Sequence, residues 1–246
     1  MKSDIDGDMP TILIFSRPPN DEVAKSRLRQ TLPDDFVTKL HNSFVLDTID
    51  AVMAPNLTCR RVFAWTANEN DFPTLRSLVE ETHILQEGAT FADRLQFALE
   101  AVRREEQGNI VVIGSDCPLL SPSILAEALS ACREGKLVIG PSNEGGYYLL
   151  GIPKEAKLFD LRGTFSTGLE VLTLKNLYSD LPLYLLPTLY DVDIESDLIS
   201  LIAEIDLRES AELESYVPKR TATLVRELSI TRDGDSRGKR IASLFN

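Results

Sequence analysis

The residues with which this 246-residue chain could do chemistry are mainly carboxylates, lysines and arginines. Only two histidines and three cysteines are present, and the cysteines have no CxxC spacing, so neither a histidine centre nor a thiolate metal site is indicated. The segment SRPPNDEVAKSR, residues 16–27, holds the cations Arg17, Lys25 and Arg27. Three cations that converge in a protein of net charge −12 predict a phosphate pocket. On spacing alone, Lys25 and Arg27 could equally be solvated residues of a first helical turn.

Two further segments offer carboxylates for a divalent cation. Asp116 follows an apolar run within GSDCP, residues 114–118, and Asp191 and Asp193 alternate within YDVDIESD, residues 190–197. Alternation puts the last two on the same side of the chain. We expect Asp116 to bind Mg²⁺ or Mn²⁺ together with substrate phosphates and water, and Asp193 to be the second ligand in preference to Asp191. Alternatively, Asp116 is a turn residue that forms hydrogen bonds within its own loop, and Asp191 or Asp193 caps a helix.

A glycine pair marks a third segment, in which two apolar runs are joined by a turn. Gly145 and Gly146 permit positive φ and leave room for a ligand to approach the backbone, while Tyr147 and Tyr148 must point to opposite faces. We expect Glu144, the two glycines and Tyr147 to bind a sugar or an acceptor. The alternative is a tight hairpin with one tyrosine in the core.

These polar segments follow short apolar runs, which alternate along the chain with stretches of helical period. Seven runs are predicted as strands: 11–16, 59–65, 83–86, 109–114, 136–141, 146–152 and 183–186. Helices are predicted over 34–54, 90–106 and 122–133, with Thr90 and Ser121 as N-caps. This order predicts an α/β protein of three layers, α/β/α, with a mainly parallel sheet. Ligands of such a sheet bind at the carboxyl ends of its strands.

Composition predicts one domain and excludes several classes of function. We expect residues 1–206 to form a single domain and residues 207–246 a helical appendage, interrupted at Pro218, with a polar tail. A pI near 4.7 argues against a broad nucleic-acid surface. The longest apolar runs are far shorter than a membrane span, the start of the sequence has no apolar leader segment, and the odd cysteine count suits a reducing compartment. These features predict a cytoplasmic protein without a membrane span.

The order of the motifs resembles a family of predicted bacterial and archaeal glycosyltransferases with the nucleotide-diphospho-sugar transferase (GT-A-like) fold. The resemblance covers roughly residues 10 to 206, and the motifs that carry it are FSRPPNDEVAKSRL (15–28), GSDCP (114–118), GPSNEGGYYLLG (140–151), FST (165–167) and DVDIESDL (191–198). The stretch AKSRL also resembles the phospholactate guanylyltransferases, which share the fold.

The resemblance implies a role for each candidate residue. Asp116 stands where such enzymes keep a metal-binding aspartate, so Mg²⁺ or Mn²⁺ is the expected cofactor. Catalytic roles are expected for Asp116, Lys25 and Asp193. The residues expected to bind the nucleotide are Ser16, Arg17, Lys25, Arg27, Arg94 and Ser115. The expected partners are a nucleotide-sugar or nucleoside triphosphate and a small-molecule acceptor.

The sequence also departs from the family pattern. Glu22, Ala89 and Ala92 stand where the family usually has glycine, Glu144 replaces an aspartate, and Phe165 replaces a tryptophan. An acidic residue and lost glycines weaken a backbone cradle for phosphates. Three functions therefore stay open. They are metal-dependent glycosyl transfer, ranked first because the likeness extends through the tyrosine segment, nucleotidyl transfer that releases pyrophosphate, and a non-catalytic nucleotide-binding module.

Overall fold

The computed structural model describes residues 9–67, 69–166, 168–211, 215–226, 228, 230–234 and 240–244. The chain forms two compact units, each assembled from separate stretches of sequence. The first unit comprises the chain up to Pro18, Ala51–Ser115 and Leu120–Leu189. The second unit comprises Pro19–Asp50, Asp116–Leu119 and the chain from Tyr190 onward.

A seven-stranded sheet forms the centre of the first unit. Its strands are β1 (Thr11–Ser16), β2 (Arg60–Trp65), β3 (Thr82–Leu85), β4 (Ile110–Ile113), β5 (Leu137–Pro141), β6 (Tyr147–Ile152) and β7 (Leu183–Leu185). Their spatial order is β3-β2-β1-β4-β6-β5-β7. β6 runs antiparallel to both of its neighbours, and the other pairs are parallel. The predicted mainly parallel sheet is confirmed, and each strand end lies within one residue of its predicted position.

Seven α-helices accompany the strands among the described residues. They are α1 (Asp34–Val52), α2 (Phe72–Leu78), α3 (Phe91–Glu105), α4 (Pro122–Arg133), α5 (Glu170–Leu177), α6 (Glu195–Ser210) and α7 (Lys219–Val225). The predicted caps are present. The Thr90 hydroxyl accepts a hydrogen bond from the backbone N–H of Asp93 and closes a capping box at α3. The Ser121 hydroxyl accepts from Ile124 at the start of α4. No helix of the described residues is long and apolar enough to cross a membrane.

Helices cover both faces of the sheet in the first unit. On one face, Leu13 and Leu150 pack in a single core cluster with Leu95 of α3 and Leu174 of α5. On the opposite face, α4 packs against β5 and β6, where the sulfur of Cys132 lies over Gly151. This arrangement is the predicted α/β/α sandwich of three layers.

The second unit contains most of α1 together with α6 and α7. The buried carboxylate of Asp47 on α1 accepts hydrogen bonds from the backbone N–H groups of Arg220 and Thr221, at 2.9 Å each. These bonds satisfy two N–H groups that the first turn of α7 leaves without helical partners. α7 begins directly after Pro218, the residue at which the sequence predicts an interruption.

The C-terminal part contains two strands that the sequence analysis did not predict. Strands β8 (Ile230–Gly234) and β9 (Arg240–Leu244) pair as an antiparallel ladder. β8 (ITRDG) has one large apolar residue, and β9 (RIASL) shows no strict alternation, so the sequence pattern did not predict these two strands. α6 runs through residue 206, the predicted end of the domain, and that boundary stays a prediction. Residues 235–239 and 245–246 of the predicted tail lie outside the described residues.

Candidate functional site

The loop that carries Lys25 has an unusual backbone. Asn20 and Lys25 adopt positive φ values of 61° and 56°, a left-handed conformation that side-chain-bearing residues rarely take. The carboxylate of Asp21 accepts hydrogen bonds from the N–H groups of Val23 at 2.8 Å and Ala24 at 3.0 Å. These bonds fold the loop back on itself just before Lys25.

Arg29 holds the same loop against the start of α1. Its Nε donates to the carbonyl of Ala24 at 2.8 Å, and its terminal nitrogens donate to the Asp34 carbonyl and the Thr38 hydroxyl at 3.0 Å each. The planar guanidinium suits this set of fixed acceptors better than a lysine would. The sequence did not single out Arg29, because a fourth cation after Arg17, Lys25 and Arg27 has no distinguishing pattern.

The side chain of Lys25 lies between two aspartates that are distant in sequence. Its Nζ is 2.8 Å from Asp116 Oδ1 and 3.1 Å from Asp193 Oδ1, and it lies 5.7 Å from the centroid of the Phe44 ring. The Lys25 side chain is 3% exposed, whereas those of Asp116 and Asp193 are 49% and 43% exposed. The structure therefore brings together the three residues for which catalytic roles were predicted.

Charge compensation keeps the buried Lys25 protonated. Burial alone would lower the pKa of its amine, but the charges of Asp116 and Asp193 outweigh burial and raise that pKa above its ordinary value. The result is a desolvated ammonium beside two carboxylates that water can still reach. A phosphate oxygen is a natural further partner for such a group.

Arg27 and Asp197 complete the surroundings of Asp193. Arg27 is exposed, and its Nη1 lies 3.8 Å from Asp193 Oδ2. The carboxylate of Asp197 accepts hydrogen bonds from the N–H groups of Asp193 and Ile194, at 3.0 Å each. The alternative of a helix cap at Asp191 or Asp193 is not realised, because the N-cap residue of α6 is Ile194, and the Asp193 carboxylate is left to pair with the two cations.

Asp191 is engaged differently from Asp193. Its Oδ1 accepts a hydrogen bond from the thiol of Cys117 at 2.8 Å, and the N–H of the intervening Val192 donates to the carbonyl of Asp116 at 3.0 Å. Burial raises the pKa of the Asp191 carboxyl and places that of the Cys117 thiol well above its ordinary value. Cys117 is thus a buried, protonated thiol, which is a poor nucleophile.

Ser16 and Ser115 meet at the carboxyl ends of β1 and β4 in the first unit. Their hydroxyl oxygens are 2.7 Å apart, and the Ser16 hydroxyl also donates to the carbonyl of Arg17 at 2.8 Å. Because a hydroxyl has one proton, Ser115 is the donor within the pair. Gln86 donates its amide to the Ser16 carbonyl at 3.1 Å and fixes the same strand end.

The glycine pair is explained by the packing of its own loop. At Gly145, with a φ of 82°, a Cβ would lie 2.8 Å from the carbonyl oxygen of Gly168; at Gly146 it would lie 2.9 Å from Ser142 Oγ. Tyr148 is buried and donates to the carbonyl of Pro187 at 2.8 Å, which fits the hairpin alternative with one tyrosine in the core. The side chain of Glu144 and all of Thr167 lie outside the described residues.

Tyr147 joins an aromatic cluster in the first unit. Its ring is 6.2 Å from that of Phe165, and Phe165 lies 5.1 Å from Phe91 at the start of α3. The Tyr147 hydroxyl and the Nε of Arg94 are buried, and neither atom has a hydrogen-bond partner among the described residues. Burial raises the pKa of the Tyr147 hydroxyl, so this group stays protonated at neutral pH.

The candidate donors for a divalent cation are Asp116 and Asp193, the two carboxylates on either side of Lys25 Nζ. In the part of the chain that the structure describes, no group of three or more His, Cys, Asp or Glu side chains could hold a metal ion. Two half-exposed carboxylates nevertheless suit Mg²⁺, which commonly takes one or two protein carboxylates and completes its octahedron with water and substrate phosphates. Their spacing already accommodates one cation, the Lys25 ammonium.

Comparison with known proteins confirms the fold that the motifs suggested. Residues 48–165 match the model of a family described as an uncharacterized protein conserved in bacteria (DUF2064). No curated protein matches the sequence.

Three solved structures share the architecture. A candidate nucleotide-diphospho-sugar transferase from Desulfovibrio desulfuricans G20 is 22% identical, with 89% of this chain and 95% of that chain covered and a TM-score of 0.75. A nucleotidyl transferase from Methanothermobacter is 16% identical, with 82% and 100% covered and a TM-score of 0.52. A 4-diphosphocytidyl-2C-methyl-D-erythritol synthase from Anaerococcus prevotii is 12% identical, with 84% and 100% covered and a TM-score of 0.51. At these identities the likeness shows the nucleotide-diphospho-sugar transferase fold alone.

Proposed function

We propose that the chain is a metal-dependent transferase that binds a nucleotide-sugar and transfers its glycosyl group to a small acceptor. The observation that carries the proposal is the cluster of Lys25, Asp116 and Asp193, a buried ammonium between two accessible carboxylates. Such a cluster can bind both the phosphates of a nucleotide and the cation that accompanies them. The description of the D. desulfuricans relative favours a nucleotide-sugar as the substrate.

Within this proposal each residue of the cluster has a distinct task. Asp116 and Asp193 would hold Mg²⁺ or Mn²⁺, which when bound would neutralise charge on the diphosphate leaving group. Lys25 would donate hydrogen bonds to a phosphate oxygen in water-poor surroundings, where such bonds are strong. Arg27, being exposed, would contact the outer phosphate oxygens. The nucleotide contacts of Ser16, Arg17, Arg94 and Ser115 and the acceptor contacts of Glu144–Tyr147 stay predictions from the sequence resemblance.

The test compares Asp116→Asn with Asp50→Asn. Asp50 is a half-exposed aspartate that pairs with Arg220 at 3.2 Å, and it makes a control of equal charge change. We expect Asp116→Asn to weaken nucleotide-sugar binding about tenfold or more in Mn²⁺ and to abolish its dependence on the ion. Its melting temperature should change little, because Asp193 still pairs with Lys25. Asp50→Asn should keep the ion dependence. Equal ion dependence in both variants, measured by calorimetry, would refute the assignment.

A nucleotidyltransferase is the second candidate, and the cations Lys25 and Arg27 favour it. Attack at the α-phosphorus of a nucleoside triphosphate needs neutralisation of more phosphate charge than glycosyl transfer does. The leaving group separates the two reactions. Incubation with nucleotide-sugars should release nucleoside diphosphate under the first proposal, whereas incubation with nucleoside triphosphates and phosphorylated acids should release pyrophosphate under the second. Binding without either product would identify the non-catalytic module.

A further inference from the structure

We infer that Lys25 is a built-in occupant of the cation position, so that a divalent ion binds well only after a phosphate-bearing ligand has drawn the Lys25 ammonium away. The inference rests on the proposed function, because it concerns the same two carboxylates. It adds an order of binding and a coupling between ion and nucleotide.

The geometry of the ion pairs is the first argument. Lys25 Nζ uses Oδ1 of Asp116 at 2.8 Å and Oδ1 of Asp193 at 3.1 Å. A Mg²⁺ ion binds carboxylate oxygens at about 2.0–2.1 Å, so an ion on these two oxygens would lie within roughly 5 Å of the ammonium. Like charges at that distance repel each other. The ion and Lys25 therefore compete for one pair of ligands.

The loop that carries Lys25 is the second argument. Its left-handed backbone is held by Asp21 and Arg29, and the Lys25 side chain is buried against Phe44. The backbone is thus fixed, and a change of partner is confined to the terminal atoms of a side chain that has several rotatable bonds. If the Lys25 ammonium bonds a phosphate oxygen instead, the carboxylates of Asp116 and Asp193 become available to an ion. By linkage, if the bound nucleotide raises the affinity for the ion by some factor, the bound ion raises the affinity for the nucleotide by the same factor.

The experiment measures Mn²⁺ binding to the full chain by electron paramagnetic resonance without nucleotide. Lys25→Met should bind Mn²⁺ about tenfold or more tightly than the unaltered protein, because an ammonium at these distances disfavours a second cation by at least that factor. Lys39→Met is the matched control, since Lys39 is an exposed lysine of the same unit that pairs with Asp35. It should leave Mn²⁺ affinity unchanged. Adding Asp116→Asn to Lys25→Met should remove the gain, which would locate it at this site.

Two outcomes would overturn the inference. One is Mn²⁺ affinity in folded Lys25→Met that is equal to or weaker than that of the unaltered protein. The other is no Mn²⁺ binding in either protein. If Lys25→Met does not fold by circular dichroism, Lys25→Gln carries the same expectation, because it also removes the charge. Tighter Mn²⁺ binding in a protein that binds no nucleotide-sugar would support the inference and contradict the proposed function. Ion-dependent nucleotide binding with unchanged Mn²⁺ affinity in the variant would support the proposed function and contradict the inference.

Discussion

The hydrogen bond between Trp65 and His83 fixes the tautomer of the buried His83 ring. The indole N–H of Trp65 donates to Nδ1 of His83 at 2.8 Å, so the ring proton of His83 is on Nε2. That nitrogen lies 3.0 Å from the carbonyl oxygen of Val79, to which it donates. Phe63 stacks on both rings, at centroid distances of 5.5 and 5.6 Å. Both ring nitrogens of His83 are used in hydrogen bonds within the first unit.

Replacement of His83 by phenylalanine tests this arrangement. The stack can persist in His83→Phe, but the buried indole N–H loses its acceptor, so we expect the free energy of unfolding to fall by about 1–3 kcal/mol. Trp65 is the only tryptophan, and its fluorescence during denaturation in urea measures the loss. A nitrogen NMR spectrum that shows the His83 proton on Nδ1 would contradict the hydrogen-bond direction on which the expectation depends.

The packing of α4 on β5 and β6 shows how closely the elements approach one another. A Cβ at Gly151 would lie 2.5 Å from the sulfur of Cys132 and 2.9 Å from Cβ of Val138. Neither neighbour can yield easily, because one belongs to a buried helix face and the other to the adjacent strand. Glycine is required at this position by helix–sheet distance and not by backbone conformation.

The matched pair Gly151→Ala and Gly163→Ala measures this effect. An added methyl group at Gly163 would meet nothing within 4 Å. We expect Gly151→Ala to lower stability by about 1–3 kcal/mol through overpacking, and Gly163→Ala to change it by no more than about 0.5 kcal/mol. Calorimetry of thermal unfolding measures the stability of both variants. Equal stability would mean that α4 can move away from the sheet without cost.

The elements were easier to predict than the contacts between them. Apolar runs with clear ends located every strand of the main sheet, and the signal is clearest for inner strands such as β1 and β4, which are buried on both faces. The pairing of Lys25 with Asp193, 168 positions away, depends on topology and has no local signature. For the same reason the sequence selected Arg27 as a binding residue and overlooked Arg29, which faces inward and holds the loop.

At the scale of the whole molecule, both units contain free thiols shielded from solvent. Cys59 and Cys132 belong to the first unit and Cys117 to the second, and all three are buried and unpaired by disulfides. Burial raises the pKa of each thiol, to about 12 for Cys132. Since only the thiolate attacks alkylating reagents, the folded protein should be nearly inert toward them.

Alkylation by iodoacetamide near pH 8 tests this expectation. With a pKa of about 12, the thiolate fraction of Cys132 is on the order of one in ten thousand. Intact-mass spectrometry should therefore find no adduct on the native protein during a period that labels a free thiol completely, and three adducts in denaturant, one for each cysteine. Rapid native labelling at Cys132 would show that α4 opens locally from the sheet.

The central place of β1 in the sheet has a consequence for synthesis on the ribosome. β1 precedes the other strands of its sheet in the chain, and both of its neighbours come much later, as the pairs Thr11 with Arg60 and Thr11 with Ile110 show. At about 5–20 residues per second, β1 waits roughly 5–20 seconds for β4. During that time the edge of the apolar segment TILIF that pairs with β4 has no native partner. Unpaired apolar strands of this kind are prone to aggregate. We therefore expect the nascent chain to depend on chaperones until residue 113 has emerged.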